Sequence, residues 1–353
     1  MNWKYVLKRV GWAVLIYLIA CFIYSGLFNA KMDKTLKGQI EEQVQKQMTS
    51  ELMNSKKKFS AEERAKMYQE RIQEQYETYH LDEPLMNRIF WRGWNTFTFE
   101  FGKATHMKSK KTGSTQVYDI LMEVVPRTLM LFLTASSINL ILMIILGMKK
   151  AQKPGQALDN STTIIAMARA GLPTWWLGLM LLMLFVYVIP IFPSGGLHST
   201  PVPEGTWANF FDLLYHLALP LITLVLVGFW RGAYITRNLV LGTLQEDFIM
   251  SARARGLSER RVLYGHALRT AAPPLATMIV MTILATLGGS LIFEAIFNWP
   301  GMGRVYWEAL QTNDIPVMLG NTALLTILYL FGIVFLDLIY GFLDPRIKVG
   351  GKA

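Results

Sequence analysis

The chain has 353 residues, 52% of them hydrophobic and 17% charged, whereas soluble domains carry roughly 25% charged residues. Much of the chain must therefore lie in lipid. The net charge of +10 does not indicate nucleic-acid binding, because the lysines and arginines cluster between apolar runs, where they act as topology signals.

The first apolar run extends from Val10 to Phe28 and follows three basic residues. It is too long for the apolar region of a secretory signal peptide, and no small-residue cleavage pattern follows it. We therefore predict a retained signal-anchor helix. Cys21 lies inside this run and is the only cysteine, which excludes an intrachain disulfide and a thiol metal site.

The segment from Asn29 to Tyr118 is rich in Lys, Glu and Gln and is the one candidate for a separate domain. A capping box from Ser60 to Glu63 predicts the start of a helix within it. Topology places the segment outside the membrane, and long segments of this kind translocate regardless of their charge. Before the capping box, a narrow apolar stripe on a charged helix comprises Leu36, Ile40, Val44, Met48 and Leu52. After it, the apolar side of the next helix comprises Met67, Ile72 and Tyr76.

Aromatic residues are dense between Leu81 and Tyr118. This density suits a segment packed at the outer membrane interface, and an ordinary packed loop explains it equally well. The residues are Trp91, Trp94, Phe97, Phe99 and Phe101.

Five further apolar runs reach the roughly 20 residues that a transmembrane helix needs. The second of these five is interrupted by Arg169, Gly171 and Pro173. We expect its spanning part to begin near Leu172 or Pro173, with a short interfacial helix before it. The five runs are Thr128 to Met148, Ile164 to Phe192, Leu213 to Ile235, Leu275 to Phe297 and Asn321 to Leu343.

Lys and Arg residues in short loops mark the cytoplasmic side of a membrane protein. They are scarce in Pro193 to Asp212 and in Asn298 to Gly320, so we place these two loops outside. The alternation over six spans predicts a multi-pass protein of the plasma or inner membrane with both termini in the cytoplasm. The inside markers are Lys149, Lys150 and Lys153 in one loop, Arg253, Arg255, Arg260, Arg261 and Arg269 in the next, and Lys4, Lys8, Arg9, Arg346, Lys348 and Lys352 at the ends.

Motifs of catalysis are missing from the sequence. It has no Walker A loop, no His-Glu-x-x-His pattern and no Gly-x-Ser-x-Gly elbow, and its five histidines lack ligand spacing. We therefore expect no reaction, no metal and no cofactor on this chain. A secondary transporter would show internal repeats and broken helices with paired midplane charges, and the sequence shows neither.

The second inner loop carries the most informative pattern. Small residues at Ser251, Ala252 and Ala254 allow close approach of another protein's backbone. Gly256 can end a short helix in the left-handed conformation, and Ser258 can cap the next one. On the residues alone, a docking segment and a plain positively charged loop explain this pattern equally well.

The segment from Asp247 to Ser258 resembles the conserved cytoplasmic loop of the permease subunits of dipeptide and oligopeptide ABC importers. It departs from the wider permease superfamily in carrying Met250-Ser251-Ala252 in place of Glu-Ala-Ala. The likeness covers nearly the whole chain except Lys31 to Thr78. Further matching motifs are Leu81 to Leu85, Pro126 to Leu129, Phe192 to Gly196, His266 to Arg269, Pro274, Phe293 to Gly303 and Asp337 to Arg346.

This resemblance implies an all-α membrane protein with six transmembrane helices, of which the first is an added anchor and five form a type I ABC importer core. It implies a permease subunit that couples ATPase closure to alternating access. The implied partners are a second homologous permease, two ATPase subunits that carry ATP and Mg, and an extracellular substrate-binding protein. The segments are 1–29 for the cytoplasmic end and first helix, 30–118 for an external, partly helical insert, and 119–353 for the core with its coupling loop at 243–270.

The substrate that the resemblance favours is an oligopeptide or dipeptide, with oligosaccharide or nickel as the alternative. No charged constellation in the predicted spans selects among these. An ion-coupled secondary transporter is the alternative class of protein.

The resemblance also assigns candidate site residues. Glu294 and Asp337 are carboxylates near helix ends, and an interfacial or interhelical hydrogen bond explains each of them better than a substrate contact. We expect Arg231 and Arg237 to anchor their helix by snorkelling. The ATPase-docking coupling helix comprises Glu246, Asp247, Phe248, Ser251, Ala252, Arg253, Ala254, Arg255, Gly256 and Leu257. The pathway or outer-gate candidates are Glu294, Phe297, Trp299, Pro300, Gly301 and Gly303, and the packing or hinge candidates are Pro220, Gly228, Gly288 and Gly289.

Overall fold

A computed structural model describes residues 3–54, 60–78 and 80–343. Within these ranges the chain is helical, and one isolated bridge between Lys103 and Gln116 is the only β pairing. The basic residues Arg346, Lys348 and Lys352 lie outside the described residues, as does the end of the last matching motif. The elements are α1 (Trp3–Asn54), α2 (Ala61–Thr78), α3 (Leu85–Phe97), α4 (Val117–Gln152), α5 (Ala157–Ala170), α6 (Thr174–Leu182), π1 (Met183–Val188), α7 (Thr206–Leu244), α8 (Asp247–Ala254), α9 (Glu259–Arg261), π2 (Val262–Ala267), α10 (Leu268–Leu287), α11 (Leu291–Ile296), α12 (Met302–Thr312) and α13 (Ile315–Leu343).

Five described helical segments are long and apolar enough to cross a membrane, and a sixth is obtained when α5 and α6–π1 count as one bent span. The bend is 97° and falls between Ala170 and Thr174. Pro173 fits this break, since proline lacks an amide donor and disfavours a helical residue before it. The structure thus agrees with five to six spans, and the short helix expected ahead of the third is α5.

The fifth span differs from its predicted range. We expected a helix from Leu275 to Phe297, whereas α10 ends at Leu287 and the apolar span covers Glu259–Thr286. The cause is a glycine pair, since Gly288 forms the C-cap and Gly289 has a φ of +65°, which ends a helix. Glu294 therefore lies in the separate short helix α11, beyond the span.

The described residues fall into two compact units. The first unit takes those within Met1–Val10, Val124–Trp307 and Leu328–Ala353. The second takes those within Gly11–Glu123 and Glu308–Ile327. Each unit has hydrophobic clusters of its own.

A helical hairpin in the second unit is formed by the later half of α1 and by α2. The helix α1 continues without a break from the first apolar run into the charged segment. Its stripe residues Ile40, Val44 and Met48 are buried, and α2 packs against them. The side chain of Leu52 lies outside the described residues. Because α2 covers the described part of the stripe, that surface needs no other protein.

The predicted capping box at the start of α2 is confirmed. The amide of Ser60 donates to Glu63 Oε2 at 2.8 Å, and the amide of Glu63 donates to Ser60 Oγ at 3.2 Å. These two bonds satisfy amide groups that a helix start would otherwise leave free.

The aromatic stretch of the second unit includes helix α3, which packs on α1. Gly93 lies against the ring of Phe22, and the ring of Tyr17 lies 5.7 Å from that of Phe97. The carboxylate of Asp33 on α1 pairs with Arg88 and Arg92 of α3. The stretch is thus a packed helix followed by a loop, and its depth relative to a membrane stays a prediction.

Two of the hydrophobic clusters in the interior of the first unit surround the candidate sites. We name one the α8 cluster, which consists of Met148, Ala151, Val240, Ile249, Ala252, Val262, Leu263, Ala267, Ala271 and Leu275. We name the other the tryptophan cluster, which consists of Leu131, Phe132, Leu182, Leu217, Leu219, Phe293, Phe297 and Trp299. In the same unit, Arg9 Nε lies 3.1 Å from Asp337 Oδ2, so the start of α1 lies beside the end of α13. This confirms the interhelical role expected of Asp337.

Candidate functional site

The predicted coupling segment folds as the eight-residue helix α8. Glu246 forms its N-cap with an extended backbone, and the acidic Asp247 in the first turn interacts favourably with the helix dipole. At the other end, Gly256 has a φ of +79° and donates its amide to Arg253 O at 2.9 Å. Leu257 donates to Ala252 O at 3.4 Å, which completes a Schellman motif. The predicted left-handed helix end at Gly256 is confirmed.

One side of α8 is anchored in the interior of the first unit. Ile249 and Ala252, three residues apart, are buried in the α8 cluster, and Leu257 packs against the same cluster. Ala252 therefore offers no surface to another protein, contrary to our expectation, because the helical period turns it towards Ile249. Leu257 likewise faces inward.

The opposite side of α8 is exposed and partly apolar. Phe248 is 43% exposed and Met250 is 59% exposed. Exposed apolar side chains on a short polar helix are typical of an interaction surface. The other exposed members of the predicted docking set are Glu246, Asp247, Ser251, Arg253, Ala254, Arg255 and Gly256.

Two arginines at the C-terminal end of α8, Arg253 and the C-cap residue Arg255, interact within the chain. Arg253 contacts both carboxylate oxygens of Glu259, with Nε at 2.9 Å from one and Nη2 at 3.2 Å from the other. This exposed pair joins α8 to α9 and contributes at most about 1 kcal/mol. Arg255 Nε donates to Ser251 O at 3.3 Å. Ser258 stands at the N-cap of α9 as expected, although its side chain makes no capping bond.

Glu294 lies fully buried in the first unit with specific donors around it. Its Oε1 accepts from Thr128 Oγ1 at 3.1 Å, and its Oε2 accepts from the Arg304 amide at 3.1 Å. The Thr128 hydroxyl also accepts from the Met302 amide at 2.7 Å. Burial raises the pKa of the Glu294 carboxyl to about 7, although the backbone and hydroxyl donors favour its charged form. The carboxyl thus joins α11 to the nearby start of α12 and to Thr128 of α4, which lies 166 positions earlier.

Close backbone approach surrounds this carboxyl. A Cβ atom at Gly301 would lie 2.4 Å from Glu294 Oε2, and one at Gly303 would lie 2.7 Å from the Ser290 carbonyl carbon. Trp299 Nε1 donates to Arg127 O at 3.1 Å. A side chain at Gly303 would therefore force a backbone shift, and one at Gly301 would displace the Glu294 carboxylate and the Thr128 hydroxyl.

The predicted gate residues lie close together in the structure, but they are buried inside the first unit and do not line a pathway that the structure describes. Glu294, Phe297, Trp299, Gly301 and Gly303 are buried, and Pro300 is half-buried. None of them lines the described cavity of the first unit. Their assignment as an outer gate stays a prediction.

The predicted packing and hinge residues divide into three kinds. Gly288 and Gly289 end α10, and Gly289 is also closely packed, since a Cβ atom there would lie 2.9 Å from Thr128 Cγ2 of α4. Gly228 does pack between helices, since a Cβ atom there would overlap Asn139 of α4. Pro220 lies inside the unbroken helix α7 and is buried, and its role as a hinge stays a prediction.

A cavity of about 510 Å³ opens in the first unit among α4, the α5–α6 bend, α7 and α10. It is lined by apolar residues, by hydroxyl groups and by the two arginines Arg169 and Arg231. From the sequence alone, Arg231 is expected to be an interfacial anchor, and the predicted spans show no charged constellation. Two features of the sequence could have indicated a charged cavity. Arg169 lies beside a predicted helix break, and Arg231 lies within an apolar helix.

A buried charge network joins α4, α5 and α7 near the α8 cluster. Arg237 Nη2 donates to Asp159 Oδ2 at 2.7 Å, and Lys150 Nζ lies 3.7 Å from Asp159 Oδ1. Lys150 is 1% exposed and also donates to Thr163 Oγ1 at 3.1 Å. The snorkelling role expected of Arg237 is therefore wrong, because a buried carboxylate lies within its reach.

A Ser, His and Asp group occurs at the start of α7, and its geometry is not that of a nucleophile. Ser199 Oγ donates to Asp212 Oδ1 at 2.6 Å, and His198 Nδ1 lies 3.0 Å from Asp212 Oδ2. The serine thus bonds the carboxylate, whereas an activated serine would bond the imidazole. This group stabilises the loop before α7.

Residues 120–349 match the family described as binding-protein-dependent transport system inner membrane component. The oligopeptide transport system permease protein AppB of Bacillus subtilis is 32% identical, over 77% of this chain and 83% of that protein. The dipeptide transport system permease protein DppB of the same organism is 31% identical, over 80% and 86%. The peptidoglycan transport system permease protein YejB of Agrobacterium fabrum is 32% identical, over 75% and 72%.

Proposed function

Because the chain belongs to the family of binding-protein-dependent transport system inner membrane components, we propose that α8 is the helix through which ATPase subunits act on it. The protein is a transmembrane permease subunit of an ABC importer. Such a subunit functions with ATPase and substrate-binding components. ATP hydrolysis takes place on the ATPase subunits, and this chain contributes a pathway and the mechanical connection.

The observation that carries this proposal is the two-sided character of α8. Its buried side, at Ile249 and Ala252, is fixed in the protein interior, and its exposed side presents Phe248 and Met250. A helix with this arrangement can insert its apolar residues into a cleft of a partner and transmit a displacement inward. A plain positively charged loop would need neither feature.

The α8 cluster supplies the route for that displacement. Besides α8 it contains Met148 of α4, Val240 of α7 and Ala271 of α10. Close-packed interiors transmit strain, so movement of α8 displaces the ends of these three helices together. Closure of the ATPases would thereby convert an inward-facing pathway to an outward-facing one, into which the binding protein releases substrate.

The proposed assembly contains a second homologous permease, two ATPase subunits with ATP and Mg, and an extracellular binding protein. Both termini of this chain are cytoplasmic in the proposal. The Arg9–Asp337 pair fits two ends on the same side of the membrane, since it brings the start of α1 beside the end of α13, and the choice of the cytoplasmic side rests on the lysines and arginines of the short loops.

The segment 30–118 is the proposed external domain, and its charged surface would contact the binding protein or the cell envelope. In the second unit a cavity of about 910 Å³ is lined mainly by α1, α3, the loop before α4 and the start of α13. Its charged and titratable lining residues are Lys46, Arg88, Arg92, Lys103, His80, His106, Glu42 and Glu100. This cavity supports a contact made through polar groups. Deletion of residues 34–78 without loss of transport or of binding-protein affinity would make the hairpin a passive spacer.

The proposed substrate is a peptide. AppB and DppB are named for oligopeptide and dipeptide transport, and YejB for peptidoglycan transport. Peptides are the class that the first two names share.

Co-purification tests the docking role of α8. The tagged chain should retain a Walker A-containing ATPase when purified in mild detergent, and Phe248→Asp should reduce the amount retained by about tenfold or more. The matched control is Gln152→Asp, which places the same carboxylate on an exposed residue at the end of α4. Retention of the ATPase by Phe248→Asp at the level of the control would contradict the proposal.

A further inference from the structure

The cavity of the first unit carries positive charge without a counter-charge in its lining. Arg169 and Arg231 both line it, and the described lining contains no Asp or Glu. The two guanidinium groups are close enough to interact electrostatically. Ionisable residues that face a cavity among membrane helices usually mark substrate or ion pathways.

Arg169 is held at the corner where α5 meets α6. Its Nη2 donates to Thr174 Oγ1 at 3.1 Å, across the 97° bend. Its Nε is buried and has no hydrogen-bond partner among the described residues. A buried donor left unpaired costs about 1 to 3 kcal/mol, so the guanidinium of Arg169 is not fully satisfied within the described part of the chain.

Arg231 lies on α7, three residues after Gly228, where Asn139 of α4 approaches most closely. Within the described part of the chain, its guanidinium makes no ion pair or hydrogen bond. Asn139 Nδ2 donates to Leu224 O at 3.2 Å, which fixes the amide. Arg231 is thus an exposed residue of the cavity lining and is available to bind a ligand there.

We propose that Arg169 and Arg231 form a subsite for the carboxylate of a peptide substrate on the wall of the translocation pathway. A guanidinium binds carboxylates through charge-assisted and often bidentate hydrogen bonds, and two of them match one anionic group. This inference rests on the proposed function, because it takes the substrate to be a peptide and the cavity to be part of its route.

The rest of the lining fits the body of a peptide. Hydroxyl groups of Ser136, Thr282 and Thr286 can bond peptide amides, and the flexible thioethers of Met143 and Met278 can adapt to varied side chains. A volume of about 510 Å³ lies within the range of small-molecule sites. The subsite thus recognises the C-terminal carboxylate, which all unmodified peptides share, and does not discriminate among peptide side chains.

The test uses the complete transporter reconstituted in liposomes with its binding protein and ATPases. Uptake of one labelled peptide is compared with uptake of its C-terminal amide, after the affinity of the binding protein for each has been measured. We expect Arg231→Gln to lower uptake of the free acid about tenfold while leaving uptake of the amide as in the wild type. Arg231→Lys should retain part of the preference for the free acid over the amide. Arg169→Gln alone should also reduce this preference. The control Lys153→Gln removes a positive charge from an exposed loop residue and should change neither uptake.

Two results would overturn the inference. Equal loss of both uptakes in Arg231→Gln and Arg169→Gln would mean that the arginines support the pathway without reading a carboxylate. Unchanged uptake of both compounds would mean that the cavity does not contact this group. In either case ATP-dependent transport by the wild type would leave the proposed importer function intact.

Discussion

Arg237 of α7 donates a hydrogen bond to Asp159 of α5 across 2.7 Å, inside a network that also includes the buried Lys150 of α4. The Gly155 amide donates to the same carboxylate at 2.9 Å. Three helices are thereby fixed beside the α8 cluster. Because the network holds α4, α5 and α7 together, a displacement of α8 should move these three helices as one body.

Asp159→Asn should therefore destabilise the protein strongly. Removal of one partner from a buried ion pair leaves uncompensated charge and costs about 3 to 5 kcal/mol. Thermal unfolding in detergent should show a clearly lower Tm than the wild type. Glu204→Gln, a neutralisation of an exposed loop carboxylate, should leave the Tm unchanged. Equal Tm values for the two variants would refute the structural role of the network.

The buried carboxyl of Glu294 should make stability depend on pH. Its folded pKa of about 7 lies above the ordinary value of 4.5. Between these values the folded state keeps a proton that the unfolded state has released, so stability falls as the pH rises through this window. The cost is absent below about pH 4.5 and complete above pH 7, where it reaches about 3 kcal/mol.

Measurement of Tm at pH 5 and pH 8 tests this dependence against Glu294→Gln, whose amide does not titrate. The wild type should lose stability relative to the variant as the pH rises. A constant difference between the two proteins at both pH values would show that Glu294 does not titrate in this window.

Close packing of α4 on α7 should appear in a pair of glycine substitutions. A Cβ atom at Gly147 would lie 2.9 Å from the Ala233 carbonyl oxygen and 2.6 Å from Thr236 Cβ. Gly147→Ala should cost about 1 to 3 kcal/mol, because the backbone of α7 must shift. Gly242→Ala, on a helix with open space, should be neutral or stabilising by up to about 1 kcal/mol. Destabilisation of similar size in both variants would contradict the packing argument, and Tm in detergent is the readout.

Local patterns in the sequence predicted local structure well. The capping box at Ser60 and the left-handed helix end at Gly256 each depend on residues within a few positions. Both can therefore be predicted from the local sequence. Hydrophobic run length likewise predicted six spans. The end of α10 was misplaced because apolar residues continue beyond Gly289 into α11.

Contacts between distant residues could not be predicted in this way. Glu294 and Thr128 are 166 positions apart, and the sequence around either residue does not indicate that the other is its partner. The partner of Arg237 and the shared cavity of Arg169 and Arg231 also depend on how helices are placed side by side. The exposed and buried sides of α8 required the structure for the same reason.

Uptake of a labelled peptide by proteoliposomes that contain the complete transporter tests the central claim most directly. We predict that uptake requires ATP on the side of the membrane that α8 faces, and that Phe248→Asp lowers it at least about tenfold while Gln152→Asp does not. Uptake driven by an ion gradient without ATP, and unchanged by Phe248→Asp, would contradict the account.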